Sequence, residues 1–98
     1  SLRALPRRLL VLGGGPIGCE LAQAFARCGA EVTQVEQLPR LLAREDADIS
    51  TLLAQRFAHE GIRVLTGCVA ERVERRGGEQ WLTELSTDDL RDLVTLRM

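Results

Sequence analysis

Three glycines and a distant glutamate are the residues whose types and spacing could do chemistry in this sequence. Gly13, Gly15 and Gly18 form the pattern G-x-G-x-x-G within "LLVLGGGPIGCE", and Glu36 lies 18 residues after the last of them. The first glycine permits a tight turn, the second leaves room for a pyrophosphate, and the third lets a helix pack closely on a sheet. A carboxylate at Glu36 can accept hydrogen bonds from ribose hydroxyls and would repel a 2′-phosphate. The pattern predicts a dinucleotide site that favours NAD over NADP.

This site needs a strand before the glycines, a helix after them and a second strand that ends in the glutamate. The sequence predicts all three. The continuously apolar run Arg8–Leu12 is typical of a buried parallel strand, and Pro16 suits the first turn of a helix that stops at Gly29. The helix N–H groups and dipole at this end would hold phosphate charge. The further elements predicted along the chain are a strand at Glu31–Glu36, a helix from the N-cap Asp46 to Gly61, and a strand over 62–65.

Both predicted helices carry apolar residues at helical spacing, which predicts the faces that meet the sheet. In the first helix a small residue, Ala22, also suits close packing against the strands. The apolar positions of the first helix are Ile17, Leu21, Ala24, Phe25 and Cys28, and those of the second are Ile49, Leu52, Leu53 and Phe57.

The last third of the chain predicts a different architecture. Residues 68–85 read as two strands around the tight-turn dipeptide Gly77-Gly78. Residues 92–96 could form a further strand, although 86–93 could equally be a short helix. The fold class is therefore α/β, a Rossmann-type βαβαβ parallel sheet with a small antiparallel β-meander.

Composition narrows the function further. With 98 residues the chain is expected to form one domain, and its formal charge of −1 gives no footprint for nucleic acid. No apolar run approaches the length of a membrane span and no signal peptide is apparent, so we expect a cytoplasmic protein. The three cysteines form no CxxC, so we predict neither a disulfide framework nor a metal site.

The segment from "RRLLVLGGGPIGCELAQAFARCGAEVTQVE" onward resembles the NAD(P)-binding domain of the pyridine nucleotide-disulfide oxidoreductases. These FAD-containing enzymes include dihydrolipoamide dehydrogenase, glutathione reductase and mercuric reductase, and the resemblance covers roughly residues 7–85. It implies that the domain presents NAD(H) for hydride transfer to FAD. It also implies a cofactor-binding set of Gly13, Gly15, Pro16, Ile17, Gly18, Glu20, Glu36 and Val69. In this set Ile17 is expected beside the nicotinamide, Glu20 towards the flavin side and Val69 near the adenine.

The sequence departs from the family's full pattern in ways that limit its activity. It lacks the redox-active C-x4-C pair, the FAD fingerprint, the dimerisation domain and the catalytic histidine-glutamate pair of the family. The resemblance therefore implies a single NAD(P)-binding domain over 1–98, excised from or lacking a larger flavoprotein. It further implies no catalytic residue of its own and, as partners, the FAD and dimerisation domains of the parent enzyme.

Several alternatives stay open on sequence grounds. Arg40 and Arg44 follow Glu36 and could hold a 2′-phosphate, which would favour NADP(H). Cys19 lies at a helix N-terminus, where a thiol pKa falls, but a packed residue is the simpler interpretation. Cys28 is expected in the helix core, and His59 suits the end of the second helix rather than catalysis. Two other functions are an FAD-binding domain, which uses the same glycine loop, and a non-enzymatic NAD(H)-sensing module.

Overall fold

A computed structural model describes residues 7–77, 79–87, 91–92 and 96–97, with side chains described through residue 75. Within these residues the chain alternates strands and helices and then continues with strands alone. The elements in chain order are β1 (Arg8–Leu12), α1 (Pro16–Arg27), β2 (Glu31–Glu36), α2 (Ala47–His59), β3 (Arg63–Thr66), β4 (Cys68–Arg76), β5 (Glu79–Thr87), β6 (Arg91–Asp92) and β7 (Leu96–Arg97). The predicted α/β class and the predicted β-α-β-α-β order are confirmed.

The first sheet is parallel and has the order β1-β2-β3, with β2 in the centre. Leu9 pairs with Val32, and Val35 pairs with both Leu12 and Leu65. Alternate residues of these strands face opposite sides of the sheet, as the period of two requires. Leu9, Val11, Val32 and Val64 pack into the helix-side core, whereas Leu10, Val35 and Leu65 pack on the other side with Cys68 and Ala70 of β4. Both faces of the parallel sheet therefore bury apolar residues.

The sheet-facing side of α1 contains the predicted Phe25 and the predicted small residue Ala22, but not the other predicted apolar positions. Cys19 and Ala22 are its buried residues, with Phe25 and Ala26 partly buried against the same core. Ile17, Leu21, Ala24 and Cys28 are exposed instead. Because α1 approaches the sheet closely at its first turn, only small side chains fit between them there, and Ile17 and Leu21 lie outside. Cys28 is the C-cap residue rather than part of the helix core, and Gly29 follows it with φ +99°.

Helix α2 follows the sequence prediction more closely. It begins after Asp46, although the Asp46 side chain makes no cap hydrogen bond. Phe57 is fully buried and Leu53 packs against the helix-side core, whereas Ile49 and Leu52 are exposed. The buried residue of the first turns is polar, Ser50. The following strand β3 begins one residue later than predicted, because Ile62 precedes it in the core.

The second sheet is antiparallel and confirms the predicted meander. β4 and β5 pair over their length around Gly77, which has φ +56°. β6 and β7 each pair with β5, at Ser86↔Arg91 and at Leu82↔Leu96. The predicted alternative of a helix over 86–93 is wrong at Ser86 and Thr87 and at β6, which are all strand. Residues 92 and 96 lie in short antiparallel strands, and 93–95 fall outside the described residues.

No described helix combines the length and the apolar character that crossing a membrane requires.

Candidate dinucleotide site

The glycine loop leaves β1 through a backbone conformation that favours glycine. Gly13 has φ +112°, and its N–H donates to Val35 O at 2.8 Å, which ties the loop to the end of β2. A Cβ on Gly18 would contact Gly13 O well inside van der Waals distance. The first and third glycines of the motif therefore hold the turn and the close helix approach, which are the two structural roles that the sequence predicts.

The second glycine of the motif lies in a different environment. Gly15 is the N-cap residue of α1, has φ −78°, and would place a Cβ in open space with no described atom within 4 Å. The first helical hydrogen bond runs from Cys19 N to Gly15 O at 2.9 Å. The N–H groups of Ile17 and Gly18 precede that bond in the helix and so have no helical acceptor. They point outward at the positive end of the helix dipole, where an anion is stabilised.

Glu36 lies at the end of β2 next to the glycine loop. Its Oε1 accepts the Gly14 N–H at 2.8 Å, and its Oε2 accepts the Leu38 N–H at 2.8 Å. The two backbone donors fix the orientation of the carboxylate, and each oxygen keeps lone-pair capacity for another donor. The structure therefore brings the predicted glycines and the predicted ribose ligand together at one edge of the parallel sheet.

Gly14, between the first two motif glycines, lies in a close-packed environment. A Cβ on Gly14 would lie 2.8 Å from Leu41 Cδ2 and 2.9 Å from Glu36 Cγ. Gly14 O accepts the Leu42 N–H at 2.8 Å, and Leu42 adopts the left-handed φ of +49° that a leucine rarely takes. The Leu41-Leu42 turn after β2 thus forms the second wall of the loop.

Cys19 is a packed residue of this loop region rather than a reactive thiol. It is buried, and its Sγ contacts Gly14 O at 3.4 Å. Burial raises the pKa of the Cys19 thiol, a hydrogen bond from Gln34 opposes this shift, and the charge of Glu36 adds to it. The expected lowering by the helix N-terminus is overcome by desolvation, which supports the simpler interpretation of a structural cysteine.

The remaining residues of the predicted set are spread around the loop. Pro16 and Ile17 line a groove of about 530 Å³ that runs from the loop along β1, and Ile17 is 74% exposed. Glu20 is exposed on α1, on the side that faces α2. Val69 lies on β4 in the second sheet, half-buried, directly after the Cys68 that packs against Val35. The structure shows no hydrogen bond that ties Glu20 or Val69 to the loop.

The basic residues after Glu36 differ in their contacts. Arg40 donates through Nη2 to Ala43 O at 3.1 Å and to Glu45 O at 3.0 Å, so its guanidinium stabilises its own turn. Arg44 is exposed, and His59 ends α2 on an exposed surface. Among the described residues, no three His, Cys, Asp or Glu side chains come together as a metal site would require.

Sequence reasoning missed three contributors to the loop: Gly14, Gln34 and the Leu41-Leu42 turn. The sequence contains a signal for Gly14, because this glycine occupies a position at which the G-x-G-x-x-G motif allows any residue. Gln34 also had one, because it is a polar residue in an otherwise β-branched central strand. The left-handed Leu42 had none, since leucine is a poor residue for that conformation.

The comparisons with known proteins agree with this fold. Residues 8–89 match the family described as pyridine nucleotide-disulphide oxidoreductase. The chain is 49% identical over 63 residues to a dihydrolipoyl dehydrogenase of Zymomonas mobilis, which covers 64% of the chain and 14% of that protein. It is 42% identical over 77 residues to a mercuric reductase of Bacillus cereus, which covers 79% of the chain and 12% of that protein. An HOCl-induced flavoprotein disulfide reductase from Escherichia coli superposes with a TM-score of 0.79 at 30% identity, over 98% of this chain and 20% of that one.

The chain belongs to the pyridine nucleotide-disulfide oxidoreductase family, as the sequence resemblance predicted. It spans about one seventh of the length of the dihydrolipoyl dehydrogenase that it resembles. The family thus accounts for the parallel sheet and its glycine loop, and this chain corresponds to a small part of such an oxidoreductase.

Proposed function

We propose that this chain binds NAD(H) through its glycine loop and positions the nicotinamide for hydride transfer to FAD in a flavin-dependent oxidoreductase. The chain is not expected to be catalytically competent without the rest of that enzyme. Its family membership supports the reaction class, and the geometry of the loop supports the ligand.

The single observation that carries the proposal is the contrast among the loop glycines. Gly13 needs its positive φ, and a Cβ at Gly14 or Gly18 would meet protein atoms at short distance. Gly15 has neither requirement, since its φ is −78° and its Cβ would meet nothing. The fold tolerates a side chain at Gly15, so the empty space beside it fits a ligand that comes close to the backbone. A pyrophosphate at a helix N-terminus is the ligand that the motif predicts there.

The residues present fit a dinucleotide. The backbone of Gly13 to Gly18 would hold the pyrophosphate, and the Glu36 carboxylate would accept hydrogen bonds from the adenosine ribose. Bound NADH supplies a hydride from its nicotinamide and FAD accepts it, while the protein provides position and electrostatics. Ile17 and Glu20 are proposed on the nicotinamide side and Val69 near the adenine.

The site geometry favours NAD(H) over NADP(H). The fixed Glu36 carboxylate would repel a 2′-phosphate at the ribose. Arg40, the candidate cation that follows Glu36 first in the sequence, donates from Nη2 to backbone carbonyls of its own turn, so fewer of its N–H groups remain for a phosphate. The charge of Glu36 and the carbonyl contacts of Arg40 both favour NAD(H) over NADP(H).

The partner that we propose is the remainder of a flavoprotein, with its FAD and dimerisation domains. Leu12, Ile17 and Leu21 beside the loop are 61%, 74% and 47% exposed, and they lie along the groove next to β1. Such a continuous apolar surface is typical of an interaction face. The small share of each relative that the chain covers supports a covering domain on the same polypeptide.

A paired titration with NADH and NADPH, followed by nicotinamide fluorescence, tests the proposal. We expect tighter binding of NADH. Gly15→Ala is expected to abolish binding with unchanged free energy of unfolding, because its methyl group would fill only the ligand space. Glu36→Gln is expected to weaken NADH binding and to narrow the preference over NADPH.

Each other outcome contradicts a named part of the proposal. Tighter binding of NADPH would overturn the role of Glu36 and favour Arg40 and Arg44. Flavin that copurifies with the chain and is displaced in Gly15→Ala would identify an FAD-binding domain instead. Binding of NADH by a chain that neither associates with nor reduces an added FAD domain would favour the sensing module.

A further inference from the structure

Two polar side chains are buried in the described core, Gln34 and Ser50. Gln34 is fully buried on β2, the central strand of the parallel sheet, where its neighbours on the helix side are apolar. Burying an amide away from water is unfavourable unless its hydrogen bonds are replaced. The contacts of Gln34 therefore indicate what the residue does.

Both donors of the Gln34 amide are directed at the glycine loop. Nε2 donates to Gly13 O at 2.9 Å and contacts Cys19 Sγ at 3.5 Å. Gly13 is the first glycine of the loop, and Cys19 follows the last one. From its place on β2, the Gln34 side chain thus connects the start of the glycine loop to the first turn of α1.

Three consecutive residues of β2 hold the loop together. Gln34 binds Gly13 O, Val35 O accepts the Gly13 N–H, and Glu36 accepts the Gly14 N–H. The N–H and C=O groups of Gly13 are both fixed by β2, which leaves the following N–H groups in a defined orientation. An amide array of this kind binds an anion more strongly when it is held before the anion arrives.

The other end of the Gln34 amide has no partner. Its Oε1 is buried and accepts no hydrogen bond from any described residue. An unsatisfied buried carbonyl is destabilising, and an apolar residue of similar volume would avoid that cost. The stability of the fold therefore does not explain a glutamine at this position. We attribute it to the hydrogen bond that its amide donates to the glycine loop.

We propose that Gln34 is a positioning residue for dinucleotide binding, which acts by holding Gly13 O and so fixing the phosphate-facing N–H groups of the loop. The inference rests on the proposed NAD(H) function and adds a residue to it. Gln34 is fully buried beneath the loop, so its effect on the ligand passes through Gly13.

The experiment compares Gln34→Met with the wild-type chain. Methionine keeps the volume and removes both the donors and the unsatisfied oxygen. We expect the free energy of unfolding from urea titration to change little, because the loss of the bond to Gly13 O is offset by the removal of the unsatisfied Oε1. NADH is expected to bind about threefold to tenfold more weakly, the effect of one hydrogen bond. Amide hydrogen exchange at Gly13 and Gly14, whose N–H groups are hydrogen-bonded, is expected to become faster relative to the amides of β2 and β3. A global change in stability would instead alter exchange at all of these amides.

Gln23→Met is the matched control. Gln23 is a partly buried glutamine whose amide donates to Glu60 at 2.9 Å and not to the loop. NADH binding and loop exchange are expected to be unchanged in this variant. Gln34→Leu serves as a second apolar substitution if Gln34→Met does not fold.

The outcomes separate this inference from the proposed function. If the wild-type chain binds neither NADH nor NADPH, the proposed function fails. If the wild-type chain binds NADH and the folded apolar variants bind it equally well, the positioning role of Gln34 is wrong and the function stands. The positioning role would also be wrong if both variants lost affinity for NADH only to the extent that they lost stability.

Discussion

Individual residues of the loop have separable roles, and substitutions should distinguish them. Gly18→Ala places a methyl group against Gly13 O, a backbone atom that cannot move aside without opening the turn. We expect a loss of about 1–3 kcal/mol in the free energy of unfolding, the usual effect of overpacking. Urea denaturation of Gly18→Ala beside Gly15→Ala measures it. Equal stability of the two variants would contradict the distinction between a glycine required by packing and one required by a ligand.

The cysteines offer a second test at this scale. Cys28 is exposed at the end of α1, whereas Cys19 is buried and burial raises its thiol pKa. A raised pKa leaves less thiolate at a given pH, and burial also limits access. Iodoacetamide at mildly alkaline pH should therefore modify Cys28 well before Cys19, as peptide mass spectrometry would show. Faster modification of Cys19 would indicate that the loop opens readily and that Cys19 is not a packed residue.

At the scale of elements, α2 supports the loop through the turn that precedes it. Ser50 Oγ donates to Leu41 O at 2.6 Å, and Leu42 N in turn donates to Gly14 O at 2.8 Å. Ser50→Ala leaves the Leu41 carbonyl buried without this donor, so we expect a loss of about 1–3 kcal/mol in the free energy of unfolding.

Thr51→Ala is the control for this prediction. The Thr51 hydroxyl is exposed and donates to Ala47 O within the same helix, so its removal should change stability little. Thermal or urea unfolding of both variants makes the comparison. A similar effect of the two substitutions would mean that the Ser50 contact is no more important than an exposed one.

At the scale of the whole molecule, Glu60 joins the two helices. It accepts hydrogen bonds from Gln23 Nε2 at 2.9 Å and from Arg27 Nε at 2.7 Å, and these donors hold the pKa of Glu60 below its usual value of 4.5. Because the folded pKa is lowered, this carboxylate stabilises the fold above its ordinary pKa. That stabilisation is lost as the pH falls through the lowered value.

We therefore expect the wild-type chain and Glu60→Gln to differ in their free energy of unfolding at neutral pH. The difference should shrink as the pH falls below about 4.5. Urea titrations at several pH values measure both curves. A constant difference across the acidic range would show that the two donors do not favour the ionised form of Glu60.

The sequence predicts the framework of this molecule well and its packing faces less well. The apolar strand, the glycines and Glu36 are local signals, and the structure has β1 and β2 at the predicted residues. The buried face of α1 was predicted correctly at Ala22 and Phe25, whereas the other apolar positions of the helix are exposed. Periodicity counts every apolar residue, but the tight contact with the sheet near the loop selects small ones. The polar Gln34 stands out within its strand, but its contact with Gly13 O and the left-handed turn at Leu42 join separate elements, which no local pattern contains.

The double attachment of Glu36 has a consequence for coenzyme engineering. The same carboxylate that would distinguish NAD from NADP also accepts the N–H groups of Gly14 and Leu38. A substitution that replaces this carboxylate with a side chain without an acceptor would also release the N–H groups of Gly14 and Leu38. A change of coenzyme would then require a set of substitutions that supplies a cation for the phosphate and a neutral acceptor for Gly14. In this chain, a change in coenzyme selectivity therefore also changes the hydrogen bonds that hold the glycine loop.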